Sequence, residues 1–181
     1  MLVPVDDTLP AGELSPITTT TLLFGLVVLL TTPLQAAGEE YVFRGYLLQA
    51  LGAVFRNRWV TILATALLFA LAHGAQNPPL FFDRFAFGFI AAWLVIRTGG
   101  LEAAIALHVL NNFLAFSIAL AFSDMTTALN PTGGTWWSLP VTLTQSLVYL
   151  GVVLWWARKR GITTSARAGE VAVLAARQSR V

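Results

Sequence analysis

The chain contains long uncharged segments, the first of which is long enough to cross a lipid bilayer. Residues 14–38 form a run of 25 residues without Asp, Glu, Lys or Arg, and a second uncharged run covers 45–55. Spanning the hydrocarbon core takes about 20 predominantly apolar residues in a helix. Because hydrocarbon offers no water to backbone N–H and C=O groups, such segments must pair these groups internally, as helices do. The sequence therefore predicts an all-α, polytopic transmembrane helix bundle.

Composition supports this class and limits the chemistry. Hydrophobic residues make up 56% of the chain and charged residues 11%, against about 45–50% and about 25% in soluble domains. Cysteine is absent, which excludes disulfides, thiolate metal sites and a cysteine nucleophile. Any reaction must therefore use Glu, His, Asn, Ser or Thr side chains. The first residues lack the basic and apolar regions of a signal peptide.

Six apolar segments of roughly bilayer length are separated by turn-forming or basic residues. The second has 16 residues, so it is a short helix or a re-entrant segment. We predict an N-terminal segment at 1–16, a membrane core at 17–157 and a basic, mobile tail at 158–181. The six segments are 17–37, 40–55, 59–75, 80–97, 101–122 and 138–157.

The basic residues predict an orientation in the membrane. Residues 158–181 contain six basic residues and one acid, so the positive-inside rule predicts a cytoplasmic C-terminus. Alternation of six helices then places Arg56, Arg58 and Arg97 on the same side and the acidic pair near the outer face, with Arg84 as an exception. We expect an integral protein of a bacterial cell membrane. Nucleic acid is not an expected partner, because the tail is short, lacks aromatics and directly follows a membrane segment.

The adjacent carboxylates Glu39 and Glu40 end the first uncharged run. An ionisable side chain in hydrocarbon costs roughly 2.5 to 3.5 kcal/mol on insertion scales, so such residues usually face a protein interior or a water-filled cavity. One interpretation is a helix N-terminus, where carboxylates complement the macrodipole and Glu40 pairs with Arg44 at i,i+4. The other interpretation is a functional site.

Both histidines of the chain lie inside uncharged stretches. A single membrane histidine is commonly a neutral group bonded to nearby backbone. Here His73 ends the third segment on the side where the second begins with Glu39, so the two side chains can meet. His108 and Asn112 are four residues apart and share one face of the fifth segment, near mid-membrane at 1.5 Å rise per residue.

These residue types can activate water within a membrane. A carboxylate can act as general base, one imidazole can orient the water or bind a metal, and an Asn amide with a second imidazole can donate to an oxyanion. Glu39, His73 and His108 also match a catalytic zinc set with an open fourth position. The soluble pattern HExxH is absent, so any metal site would be assembled from three separate helices. Metal-dependent and glutamate-only chemistry both stay open.

Three short motifs occur in order about 35 residues apart. Residues 39–44 fit EExxxR, 69–73 fit FxxxH and 108–112 fit HxxxN. The ordered set resembles the CPBP family of intramembrane proteases, which includes the CAAX prenyl endopeptidases and the bacterial Abi proteins. The resemblance covers about residues 36–125.

The resemblance implies an intramembrane metalloendopeptidase or glutamate peptidase. Glu39 or Glu40 would activate a water, with Glu39 favoured, and His73 would assist or ligate a metal. His108 with Asn112 would stabilise the oxyanion. The expected partners are the lipid bilayer and a peptide or membrane-protein substrate.

Two further residues fit the resemblance, and one feature of the chain departs from it. Arg44 would pair with Glu40 and hold the acidic turn, and Phe69 belongs to the second motif. Family members usually carry further helices before the EExxxR segment, so this chain is a short member or an N-terminally clipped product.

The same polar residues are also compatible with a non-catalytic membrane protein. A bacteriocin self-immunity factor, a scaffold or a transporter could use them to carry protons or hold helices together. Paired half-sequences, which mark transporter repeats, are not evident in the chain. Cleavage assays on single alanine variants would separate the two classes.

Overall fold

The computed structural model describes residues 14–74, 77–122 and 136–161, which are helical apart from short connections and contain no strand. Most of the predicted segment 1–16 and of the predicted tail 158–181 lies outside them. The elements are α1 (Thr19–Glu40), a π-helical segment (Tyr41–Leu47), α2 (Leu48–Phe55), α3 (Arg58–Ala72), α4 (Pro78–Thr98), α5 (Glu102–Phe122) and α6 (Ser138–Lys159).

The first three elements form one continuous helix of 37 residues, Thr19–Phe55. The predicted break between residues 37 and 40 is therefore wrong. Glutamate is a good helix former, and a single glycine weakens a helix without ending it. Pro33 lies inside α1, as neighbouring helices allow in membrane proteins. The acidic pair thus lies within a helix, and its interpretation as a helix N-terminus is wrong.

Within the described residues, four helices are long and apolar enough to cross a membrane. They begin at Thr19, Pro78, Glu102 and Leu139, whereas α3 is a shorter apolar helix. Large apolar side chains along the outside of α1 are exposed, among them Leu22 and Leu34. The predicted fold class, a polytopic transmembrane helix bundle, is confirmed, and the protein is an integral membrane protein.

Helices α3 and α4 pack closely at Gly88. A Cβ atom at this position would lie 3.2 Å from the Cα atom of Ala66, so the absent side chain lets the two backbones approach. Around this contact lies the main apolar core, which includes Phe69, Phe87 and Leu107. The close approach fixes α3, and with it His73, against α4.

Helix α5 runs antiparallel to α1. Leu101, just before α5, lies beside Gly45, and at the other end the backbone N–H of Ser15 donates to the carbonyl of Ala121 at 2.7 Å. This arrangement brings the middle of α5, including His108, to the level of the acidic pair.

The basic residues of the described chain gather mainly at one end of the bundle. Arg58 and Arg97 line a common small cavity, and α6 runs parallel to α4, because Phe82 stacks on Trp136 with ring centroids 6.1 Å apart. The end of α6 at 158–160 therefore lies near the end of α4. The predicted common side of these arginines fits this geometry, and its cytoplasmic orientation stays a prediction.

Candidate active site

Four titratable side chains from three helices meet at one place. Glu39 and Glu40 come from α1, His73 caps the C-terminal end of α3, and His108 comes from α5. Oε2 of Glu39 lies 3.4 Å from Nε2 of His73 and 3.7 Å from Nε2 of His108. The sequence-predicted residues from all three motifs therefore converge.

Glu40 is the fully buried residue of the acidic pair. Its side chain is 0% exposed, and Oε1 accepts from Nη1 of Arg44 at 2.7 Å and from Nδ1 of His108 at 2.8 Å. Nη2 of Arg44 donates to the carbonyl of Gly88 at 3.3 Å. Glu40 thus links α5 to the long helix, and Arg44 links that helix to α4.

Phe69 lies at the centre of the aromatic contacts. The guanidinium carbon of Arg44 is 4.4 Å from the centroid of its ring, a cation–π geometry. The same ring is 4.4 Å from the His73 ring and 6.0 Å from the His108 ring. Phe69 therefore separates the buried cation from the two imidazoles and holds all three in place, as expected of a supporting residue.

The hydrogen bonds of the two imidazoles fix which ring nitrogen donates. Nδ1 of His73 lies 2.8 Å from the carbonyl oxygen of Phe69, and Nδ1 of His108 contacts the Glu40 carboxylate. Carbonyl and ionised carboxylate oxygens only accept, so Nδ1 must carry the proton in both rings. In the neutral rings Nε2 then presents a lone pair, and both Nε2 atoms face Glu39.

Glu39 is the partly exposed residue of the acidic pair. Its Oε1 accepts from Nε2 of Gln35 at 3.1 Å, whereas its buried Oε2 has no hydrogen-bond partner among the described residues. The side chains of Glu39 and His73 are 23% and 28% exposed. A carboxylate oxygen and two imidazole lone pairs therefore border one gap, which suits a bridging water because polar groups that far apart often share one.

The same three atoms are the donor types of a catalytic zinc site. The contact between Glu40 and Nδ1 of His108 also resembles the partners that orient zinc-bound histidines. Within residues 14–74, 77–122 and 136–161, however, no three His, Asp or Glu side chains are placed to hold a metal ion. The donor chemistry thus fits zinc, although the described side chains do not form a three-ligand site as they are placed.

Asn112 is half-buried and lies one turn beyond His108 on α5. It makes no hydrogen bond to any other part of the described chain. The structure therefore places Asn112 on the predicted helix, but it shows no direct contact with Glu39 or His73.

Three residues near the site were missed by the sequence reasoning. Gln35 precedes Glu39 by four residues in the same helix, and that spacing could have indicated it. Arg84, the exception to the charge pattern, donates from Nη1 to the carbonyl of His73 at 3.0 Å. Phe87 packs 4.9 Å from the His108 ring, and no sequence signal separates it from other core phenylalanines.

Two comparisons with known proteins cover the part of the chain that contains this site. A family model described as type II CAAX prenyl endopeptidase Rce1-like matches residues 18–114, which contain all three motifs. An uncharacterized protein of Bacillus subtilis (strain 168), YyaK, is 31% identical over 143 residues, covering 72% of this chain and 48% of the relative. The chain thus spans about half the length of that curated relative. No solved structure is significantly similar to the chain.

Proposed function

The chain belongs to the type II CAAX prenyl endopeptidase Rce1-like family, and we propose that it is an intramembrane endopeptidase in which Glu39 activates the attacking water. The substrate would be a membrane-associated protein or peptide. The observation that carries the proposal is the unpartnered Oε2 of Glu39, which faces Nε2 of His73 and of His108 from a partly open position.

In the first step a water molecule occupies the gap beside Glu39. It donates one hydrogen to Oε2 of Glu39 and the other to Nε2 of His73, which leaves an oxygen lone pair directed at the substrate carbonyl. As the C–O bond forms, the water proton moves to Glu39. General-base catalysis of this kind contributes about 10²- to 10⁴-fold in rate.

The negative charge that forms on the carbonyl oxygen needs hydrogen-bond donors. We assign this role to the Asn112 amide, which makes no hydrogen bond elsewhere in the described chain, and to His108. Since Nδ1 of His108 already donates to Glu40, Nε2 can donate only when both ring nitrogens carry a proton. With both glutamates ionised and Arg44 positive, a positive charge on His108 brings the net charge of these four side chains to zero.

The second step returns the proton. The C–N bond breaks as Glu39 gives the proton it received to the leaving nitrogen, and the new carboxylic acid passes its proton to the amine, so that a carboxylate and an ammonium group depart. Water supplies the added oxygen, and Glu39 ends in its starting state. The reaction therefore balances without an oxidant or reductant.

Glu40 and Arg44 have a positioning role in this scheme. Both side chains are 0% exposed, so neither can contact a substrate in this arrangement. Glu40 instead orients His108, and Arg44 offsets the charge of Glu40 while anchoring the helix to the Gly88 carbonyl. The difference in exposure supports Glu39, rather than Glu40, as the base.

A metal-bound water is the second candidate for the attacking group. Zinc held by Glu39, His73 and His108 would supply a Lewis acid that lowers the pKa of its water. The donor types at the gap favour this candidate, although the described side chains do not form a three-ligand metal site as they are placed here.

The proposal is tested by peptide cleavage with the purified protein in detergent micelles. The probes are fluorescence-quenched peptides with an apolar segment, in farnesylated CAAX and non-prenylated forms, which separate the two substrate classes. We expect alanine at Glu39, His73 or His108 to abolish cleavage of whichever probe the wild type cuts. Full activity in all three variants would overturn the proposal.

A matched control guards against contamination and misfolding. Gln49→Ala changes an exposed polar residue on the same long helix, away from the acidic pair, and should leave cleavage unchanged. Each inactive variant must also retain wild-type helical content by circular dichroism. A cleavage activity that persists equally in every variant belongs to another protease.

A further inference from the structure

A cavity separate from the acidic site opens at the basic end of the bundle. It encloses about 340 Å³ between α2, the start of α3 and the end of α4, which is within the range of about 300–1,000 Å³ typical of small-ligand sites. Glu39, His73 and His108 do not line it.

The lining of the cavity is positively charged. Arg44, Arg56 and Arg58 line it, and no acidic residue of the described chain does. Arg56 and Arg58 are exposed, and neither forms an ion pair with another described residue. The N-terminus of α3, which begins at Arg58, adds the positive end of a helix dipole. The cavity therefore favours an anion.

The buried end of the cavity contains an unused hydrogen-bond donor. Arg44 is 0% exposed, with Nη1 bonded to Glu40 and Nη2 to the carbonyl of Gly88. Its Nε is buried and has no partner in the described part of the chain. Leaving a buried donor unpaired is costly, so a ligand oxygen reaching this depth would supply the missing hydrogen-bond acceptor.

The cavity also has an apolar lining. Leu48, Val95 and Ile96 line it, together with the polar Gln49, Asn57 and Thr61. This combination suits an amphiphile better than a free inorganic ion, because the charged group and an attached hydrocarbon chain would each have a matching surface.

The cavity lies at the level expected for lipid headgroups. Trp59 follows Arg58 directly, with the guanidinium carbon 5.3 Å from its ring centroid. Trp155 and Trp156, near the corresponding end of α6, are 60% and 47% exposed. Tryptophan is enriched where the membrane meets water, so these rings place the mouth of the cavity near an interface.

We propose that this cavity binds the phosphate headgroup of an anionic membrane phospholipid. The phosphate oxygens accept from Arg56 and Arg58 in charge-assisted hydrogen bonds, and an acyl chain lies along Leu48 and Ile96. Basic pockets between membrane helices commonly bind such headgroups. Arg56 and Arg58, which would bind the phosphate, do not contact the acidic pair, so the inference does not depend on the proposed peptidase activity.

The test measures lipid retained by the purified full chain with native mass spectrometry. The protein is exchanged into micelles containing phosphatidylglycerol or, separately, phosphatidylcholine. We expect selective retention of phosphatidylglycerol and a loss of at least about tenfold in Arg56→Gln/Arg58→Gln, since each lost bond to a charged group is worth roughly a decade in affinity. Equal retention of both lipids, or no change in the variant, would overturn the proposal.

A second double variant separates a site from general attraction. Arg158→Gln/Arg160→Gln removes the same charge from the same end without altering the cavity, and should retain lipid as the wild type does. Equal loss in both double variants would overturn the proposal. Millimolar inorganic phosphate distinguishes the source of the phosphate group: retention in its presence supports a lipid site, and complete displacement of the lipid indicates a free-phosphate site and contradicts it.

Discussion

Nδ1 of His108 lies 2.8 Å from Oε1 of Glu40, across 68 residues of chain. This contact joins α5 to the long first helix at a fully buried carboxylate, and it leaves Nε2 of the imidazole facing Glu39. The two adjacent glutamates are therefore not equivalent. Glu40 holds the site together, whereas Glu39 faces the gap where chemistry can occur.

The first prediction concerns the stability difference between the two glutamates. Glu40→Ala leaves Arg44 as a buried charge without its partner, and breaking a buried pair in this way costs about 3–5 kcal/mol. Glu39→Ala removes a partly exposed group and should change the free energy of unfolding by less than about 1 kcal/mol. Unfolding titrations in mixed micelles measure both values. Equal losses would contradict the assignment of Glu40 as the structural member.

The second prediction concerns Asn112. If its amide donates to the oxyanion, Asn112→Ala should lower kcat by about 10²- to 10³-fold with little change in KM. Asn111→Ala is the matched control, since it makes the same change one residue away on a different side of α5, and it should retain activity. Loss in the Asn111 variant with full activity in the Asn112 variant would show that the wrong amide has been assigned.

The third prediction tests the close approach of α3 and α4. Gly88→Ala places a Cβ atom 3.2 Å from the Ala66 backbone, and overpacking of this kind costs about 1–3 kcal/mol. It should also weaken catalysis, because α3 carries His73. Gly25→Ala, where nothing lies within 4 Å of the added Cβ, should be tolerated. A thermally unaffected Gly88→Ala protein would argue against this packing.

The fourth prediction concerns zinc. Because no three His, Asp or Glu side chains of the described chain are placed to hold a metal ion, we expect cleavage to continue after dialysis against a strong chelator. Metal content measured on the same sample provides the control. Loss of activity that stoichiometric zinc restores would show that Glu39, His73 and His108 close around an ion, and would favour the metal-bound water.

The sequence predicted the membrane class and the meeting of Glu39 with His73 and His108 correctly. Both results rest on strong constraints: bilayer-length apolar segments, and the cost of ionisable groups in hydrocarbon. The location of the turns was also well indicated, since Asn77 caps α4 and Gly99, at φ 76°, ends it.

The continuity of the first helix could not be predicted in the same way. Pro33, Gly38 and two charges resemble the end of a helix locally, whereas the buried partners of Glu40 add contacts that favour the continuous helix. The tautomers of the imidazoles and the role of Arg84 depend on contacts across helices, such as the bond to the His73 carbonyl. The local sequence pattern gives no information about such contacts.

The most direct test of the account is the single-turnover cleavage rate of Glu39→Gln compared with the wild type. The amide keeps the size of the side chain and can still accept from Gln35, but it cannot take a proton from water. We predict a rate lower by at least about 10²-fold with an unchanged unfolding curve. A Glu39→Gln protein that cleaves at the wild-type rate would contradict the central claim.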